Sequence, residues 1–331
     1  MGMRRAGSVS LSAPRGLRQR SLGEVSGREL RPLLEEECAE WGRELFWDYS
    51  EVSEAVASGL DRYALTGRML SDGNRPIAYC YSLLDADRAV VGAVFSSSTH
   101  RGVGLEEWLL DSVIGEAQGI AGHDRVECQT LFSTDTAAEG AFARAGFKSR
   151  ARNYLVCDLS SPLPAPDSSV ELQTLRRSDL QAAAMIVHES HRGSLDAVLN
   201  LTYAAPALCR GFVETLVLRG GCGRFCAEAS FMAVGPEGPV GVILASHLSR
   251  TNGHICQVSV LSKCQTRGIG TALLLASLGA FRREGLSSAS LSVTVENTRA
   301  FRLYTRLGFR LRKAFGAHAW VRPPAQLELP A

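Results

Sequence analysis

A mixed α/β fold built twice in one chain is predicted by three observations. Gln265-Thr266-Arg267-Gly268-Ile269-Gly270 follows an extended apolar run and opens an amphipathic helix. Thr99-His100-Arg101-Gly102-Val103-Gly104 occupies the same context in the first half. Asp135 precedes Gly146 by 11 residues, and Asn297 precedes Gly308 by the same 11. Strand, glycine-rich turn and helix together aim free N–H groups and the positive end of a helix dipole at an anion. Each copy therefore reads as a site for a phosphorylated ligand. The matched order and spacing read as an internal duplication.

Met1 to Leu22 carries Arg4, Arg5, Arg15, Arg18 and Arg20 with several serines and no acid, a composition shared by disordered tails and organellar transit peptides. Residues 1–27 are assigned to a disordered basic tail and residues 28–160 to the first domain. There, Val90–Phe95 reads as a strand, and Leu105, Trp108, Leu109 and Val113 stripe a helix after the turn. A strand over Val126–Phe132, a helix over Ala138–Arg144 closed by Gly146, and a final strand over Tyr154–Leu159 complete this copy. Residues 161–169 form a linker, because Pro162, Pro164 and Pro166 can sustain neither ladder nor helix.

Residues 170–331 are the second domain. Val170–Leu175 alternates as a strand, and Asp179 is placed to cap a helix over Leu180–Val187. A second helical region covers Val198–Leu218, interrupted near Pro206. Strands over Ala229–Val234 and Val240–His247 are joined by the turn Gly235-Pro236-Glu237-Gly238, and a strand over His254–Leu261 leads into the glycine turn. Leu274, Leu278 and Phe281 then share one helix face. Ala289–Val295 alternates as a strand, and Ala300, Leu303 and Leu307 stripe a last helix ended by Gly308. The result is a mixed sheet flanked by helices.

Composition limits the function classes. A chain of 331 residues has room for about two domains of ~150 residues. A net charge of +2 argues against a nucleic-acid groove or an acidic membrane surface. No apolar run approaches the ~20 residues of a membrane span. Nine irregularly spaced cysteines fit reduced thiols in the cytoplasm better than a disulfide framework. Cys222 and Cys226 have a spacing tolerable for zinc but no second Cys/His pair nearby, so no metal site is expected.

Competing phosphate sites can be set aside. A Walker loop needs Gly-Lys-Ser/Thr, which neither copy has, and a dinucleotide turn needs a third glycine where Leu273 and Glu107 stand. There remains Gln265-x-x-Gly268-x-Gly270 after a strand, then Asn297, then Leu303-Tyr304-x-x-Leu307-Gly308-Phe309. With these motifs the chain resembles the GNAT superfamily of acyl-CoA-dependent N-acyltransferases, from Val170 to about Val321 and more loosely from about Leu30 to Leu159. The resemblance implies two tandem GNAT-like domains, of which the first is degenerate. It implies an N-acetyltransferase that moves an acetyl group from acetyl-CoA to a primary amine by direct attack, without a metal.

By the same resemblance, the backbone of Gln265, Thr266, Arg267, Gly268, Ile269, Gly270 and Thr271 would hold the CoA pyrophosphate, and Arg267 would add positive charge. Val258, Ser259 and Val260 would pair with the pantetheine arm, and Asn297 would hydrogen-bond it. Tyr304 would protonate the departing thiolate; the other reading of Tyr304 is a packed helix-face aromatic. His254 stands where some members carry a glutamate base, and an imidazole titrating near ~6.5 could accept the amine proton. A hydrogen-bonded structural histidine is the other reading, with Glu228 and Glu296 as further candidates for the base.

In the first copy Phe142 takes the Tyr304 position, Thr99 that of Gln265 and Asp135 that of Asn297. Gly102 and Gly104, set against Gly268 and Gly270, keep the turn, so residual CoA binding and a purely structural copy both stay open. The expected acceptor is a small-molecule amine or a protein N-terminus, with no nucleic-acid or membrane partner, on a cytoplasmic monomer or homodimer. The alternative is a non-catalytic, CoA-responsive binding or regulatory protein.

Overall fold

The computed structural model describes residues 14, 16–85, 88–120, 122, 124–132, 136–164, 170–194, 196–197 and 200–323. Two compact units emerge. The first is Met1–Ala39, Ser50–Arg150 and Phe315–Ala331; the second is Glu40–Tyr49 and Ala151–Ala314.

The first unit is built from β1 (Arg18–Ser21), α1 (Gly27–Leu45), α2 (Ser50–Asp61), β2 (Thr66–Asp72), β3 (Arg75–Asp85), β4 (Arg88–Ser96), α3 (Leu105–Gly119), β5 (Arg125–Thr130) and α4 (Thr136–Arg144). Its sheet runs β1-β2-β3-β4-β5 and ends on β13 (Arg310–Val321), the last strand of the chain. β4 and β5 are parallel, whereas β13 pairs antiparallel with β5 from Gly316↔Thr130 to Val321↔Arg125. Residues 18–21 correct the extent of the basic tail: they pair with β2, and Leu22 and Val25 are buried just after them. Arg18 is exposed and Arg20 pairs with Glu29 of α1, so this edge strand carries no apolar alternation to announce it. The rest of the tail, residues 1–13 and 15, lies outside the described residues.

The second unit takes in β6 (Lys148–Asp158), β7 (Glu171–Thr174), α5 (Leu180–His191), α6 (Pro206–Leu218), β8 (Arg224–Phe225), β9 (Phe231–Gly235), β10 (Gly238–His247), β11 (Asn252–Val260), α7 (Ile269–Arg283), β12 (Ser288–Thr294) and α8 (Thr298–Arg306). Strand order is β6-β12-β11-β10-β9-β7, with β8 beside β10. β10 shows why its sequence is a continuous apolar run. Val242 and Leu244 pack under α5 and α6, while Ile243 and Ala245 pack under α7, so both faces are covered. Pro206 does not interrupt a helix but opens α6 at its first position, where a missing N–H costs nothing. Asp179 caps the short 3₁₀ turn before α5 through the Arg176 N–H at 2.8 Å.

The strands that follow α4 and α8 change places. β6 pairs with β12 from Ser288↔Asp158 to Thr294↔Arg152, whereas β13 goes to β5. The second unit also takes Glu40–Tyr49 from the first half. Tyr154 Oη donates to Leu45 O at 2.8 Å, and Asp48 N donates to Leu248 O at 2.7 Å.

Candidate active site

β11 changes partners along its length. Asn252 to Ile255 run parallel to Ser288 to Leu291 of β12. Against β10, Leu244 faces Gln257 and Ala245 faces Ile255, so Cys256 is the extra residue of a β-bulge. A bulge bends its strand and raises the twist. Beyond it β11 stays on β10, while Ser292 to Thr294 continue on β6. The outer edge of Gln257 to Val260 therefore has no strand partner among the described residues. The first unit repeats this, with Val91↔Cys128 as the last parallel pair and Gly92 as the bulged residue.

The turn after β11 leaves a run of backbone N–H groups without main-chain acceptors among the described residues. A 3₁₀ turn over Ser262–Cys264 is followed by Thr266 at φ 67° and Gly268 at φ 76°, both left-handed. Glycine takes that conformation freely; a β-branched threonine is held there against a cost of roughly 1–2 kcal/mol. Its hydroxyl bonds to the Gln265 carbonyl. Gln265 fastens the turn, donating from Nε2 to Val260 O at 3.0 Å and accepting from Arg299 at 2.7 Å. Gln265 N donates to Ser262 O, and Ala272 N donates to Gly268 O. Between them the N–H groups of Thr266 to Thr271 have no main-chain acceptor among the described residues. The first turn of α7 contains no acid, and Arg267 is exposed. A Cβ placed on Gly270 would lie 3.8 Å from Val260 and 3.9 Å from Leu303, so turn, open strand end and α8 meet here. Dipole, unpaired amides and a nearby guanidinium all favour a phosphate group.

Tyr304 lies on α8, 8% exposed, with its ring 6.0 Å from Phe309. Burial pushes its phenol up to about 12, with the Asp196 carboxylate raising it and the Arg152 guanidinium lowering it. It is protonated at neutral pH. Asn297 serves α8 as its N-cap, accepting from Ala300 N at 3.2 Å, which leaves its –NH₂ group as a donor. Val258 and Val260 are half-buried along the open part of β11, with Ser259 buried between them.

His254 lies on the closed part of the β11–β12 ladder, opposite Ser290. Ser290 Oγ donates to Gly253 O at 3.2 Å, so it accepts from Asn252 Nδ2 at 3.0 Å and from His254 Nδ1 at 2.9 Å. That leaves Nε2 as the basic nitrogen. Tyr154 stacks at 6.0 Å and Trp47 lies at 6.4 Å. Burial, with help from Arg152, lowers the imidazole to about 4. Glu228 sits elsewhere: it lines a cleft of about 400 Å³ with Arg283 and Glu284, at the C-terminal end of α7. A 15-residue helix puts that end about 20 Å from the glycine turn. Glu296 is exposed just before α8.

Sequence reasoning missed a polar group on the α5–α6 connection. Thr294, on the diverging part of β12, donates to the Asp196 carboxylate. Tyr203 Oη donates to Gln257 Oε1 at 3.1 Å, and Gln257 Nε2 donates to Ser259 Oγ at 2.9 Å. His191 stacks on Tyr203 at 4.0 Å, and burial lowers its pKa. No motif announces these residues, because a connection brings them to the strand ends. Cys226 Sγ, His247 Nε2 and a Glu284 oxygen lie within 4.8 Å of one another, a set of donors that sequence spacing did not disclose. Glu284 already serves both neighbours, accepting from Cys226 at 3.3 Å and facing His247 at 2.8 Å.

Element bounds and φ values set the two turns in a register shifted by two residues from the one the glycines suggest. Ser98–His100 matches Ser262–Cys264, and the helices Leu105–Gly119 and Ile269–Arg283 start together. Gly102 at φ 73° then matches Thr266, and Gly104 at φ 80° matches Gly268. Arg101, not Thr99, stands opposite Gln265, and Glu106 stands opposite Gly270. Asp135 lies outside the described residues.

Comparison with known proteins agrees with this architecture. Residues 211–309 match the Acetyltransferase (GNAT) family. A mycothiol acetyltransferase of Parafrankia sp. (strain EAN1pec) is 39% identical over 79 residues, 24% of this chain and 24% of that protein. The chain thus spans about a quarter of the curated relatives it matches. A GCN5-related N-acetyltransferase from Sphaerobacter thermophilus superposes with a TM-score of 0.68 at 21% identity, over 96% of this chain and 99% of that one. A tandem GNAT protein from the clavulanic acid biosynthesis pathway superposes with a TM-score of 0.60 at 15% identity, over 94% and 100%. The fold is a duplicated GNAT fold.

Proposed function

Because residues 211–309 match the GNAT acetyltransferase family, we propose that the second unit transfers an acetyl group from acetyl-CoA to a primary amine. The amide cradle from Thr266 to Thr271 carries the reading, since it offers consecutive N–H groups and a helix dipole to a diphosphate. The open edge of Val258 to Val260 can accept an extended pantetheine arm as an added strand. Such an arm would bring its thioester toward the point where β11 leaves β12.

Chemistry there needs one base and one acid. A neutral amine attacks the thioester carbonyl, a C–N bond forms, and the C–S bond breaks. The thiolate takes the proton of Tyr304, whose raised pKa keeps it protonated until that moment. The proton lost by the amine goes to Asp196, directly or through water, and returns to the phenolate. Asp196 is favoured over His254 because it is held at the diverging end of β12 by Thr294, whereas His254 belongs to the closed ladder. The acceptor class is a small amine or a protein N-terminus.

Thiol release from acetyl-CoA, measured across a panel of small amines and peptides, tests this. Turnover with at least one acceptor supports it. Binding of acetyl-CoA with no turnover on any acceptor would favour the CoA-responsive binding protein instead.

A further inference from the structure

We infer that the first unit's turn is closed to acyl-CoA by its own carboxylate, Glu106, so that the chain takes a single acyl-CoA and holds a second, latent site. This rests on reading the Gly268 turn as the CoA pyrophosphate site.

The backbone of the first turn is intact. Gly102 and Gly104 reproduce the φ values of Thr266 and Gly268. Trp108 N donates to Gly104 O at 3.2 Å, as Ala272 N does to Gly268 O at 2.9 Å. The open strand edge after the bulge is present as well. The difference is the side chain one residue into the helix. At Gly270 there is none, and the backbone comes close enough to Val260 and Leu303 that a Cβ would just touch both. At Glu106 a carboxylate, 3% exposed, reaches the end of β4, where Ser96 Oγ donates to it at 2.6 Å. Ser96 is the counterpart of Val260, on the edge that would carry the arm.

Charge reinforces shape. The first turn of α3 holds Glu106 and Glu107, whereas that of α7 holds no acid. Glu107 is paired with Arg144 at 2.7 Å, so it is the Glu106 carboxylate that meets the positive end of the α3 dipole and that a diphosphate would have to displace or oppose. Arg101 is committed too: its Nε and Nη2 donate to Ser96 O at 3.2 Å, and it lies 5.1 Å from the Phe95 ring centre. Arg267 is exposed by contrast. Phe142, at the Tyr304 position, is fully buried and stacks on His318 at 3.7 Å. Closure therefore lies in side chains, not in the path of the backbone.

Calorimetric titration of the full chain with acetyl-CoA tests this, with circular dichroism confirming the fold of each variant. The wild type takes one equivalent. Glu106→Gly takes a second, and Glu106→Gln, which keeps the volume and removes the charge, takes it more weakly. The reciprocal Gly270→Glu, whose Cβ fits, loses affinity at the second unit by about 100-fold. Two equivalents on the wild type, no gain in Glu106→Gly, or undiminished binding in Gly270→Glu each overturn the inference. A wild type that binds no acetyl-CoA instead brings down the reading of the Gly268 turn, and this inference with it.

Discussion

Gly104 and Gly268 hold the same left-handed conformation, φ 80° and φ 76°, each immediately before a 15-residue helix. The turn imposes that conformation rather than the helix, since α6 and α8 start from N-caps at φ −147° and φ −78°. The duplication therefore preserves a backbone shape while the side chains around it diverge.

Replacing Gly268 with valine tests that shape. A β-branched side chain at φ 76° costs roughly 1–2 kcal/mol and rotates the amides away. CoA affinity should fall by at least tenfold with the melting transition retained. Unchanged affinity would remove the turn from the binding site.

Tyr304→Phe should lower kcat by roughly 10²–10³, the range for a lost general acid, and leave CoA affinity alone. A fully active variant would show that the phenol, though protonated and buried, is packing.

Asp196→Asn should lower kcat by roughly 10²-fold with CoA affinity retained. His254→Gln is the comparison. If kcat falls in the His254 variant and survives in the Asp196 one, the assignment of the base is reversed.

His254 and His318 should make the fold acid-sensitive. Burial holds each near 4, whereas an unfolded histidine titrates near 6.5. Between those values the unfolded chain binds protons that the folded chain refuses. Stability is thus full above pH 6.5 and falls as the pH drops toward 4, by roughly 3 kcal/mol at most for each residue. Urea midpoints at pH 7, 5.5 and 4.5 measure this. A double variant lacking both imidazoles should show a shallower fall, and an equal one would assign the effect to other groups.

Separate expression of residues 1–160 and 170–331 should give two poorly folded pieces. Each lacks a strand that its unit uses, β13 in one and β6 in the other. Co-expression should restore a cooperative transition. Two independently stable fragments would contradict the strand exchange.

Much of this was legible in the sequence. The alternation of Leu291 and Val293, the stripe of Leu274, Leu278 and Phe281, and the glycine turn each report a local period or a local φ requirement, and each became the expected element. The partner of a strand is not local. Tyr154–Asp158 has the same alternation whether it pairs within its own half or with β12. Glycines also misled the alignment of the two turns, since Thr266 carries a positive φ that residue type alone conceals. Asp196 was invisible because the proximity of a connection to a strand end leaves no mark on composition.

The exchange of β6 and β13 also bears on heredity. The first half carries Phe142 where the second has a phenol, and it places Glu106 in its own turn. Its gene segment was not free to be deleted, because residues 40–49 and 151–158 are built into the unit that keeps Tyr304. Substitutions confined to that half's own turn can accumulate, while the segments it lends to the second unit stay under the constraint of that unit's fold.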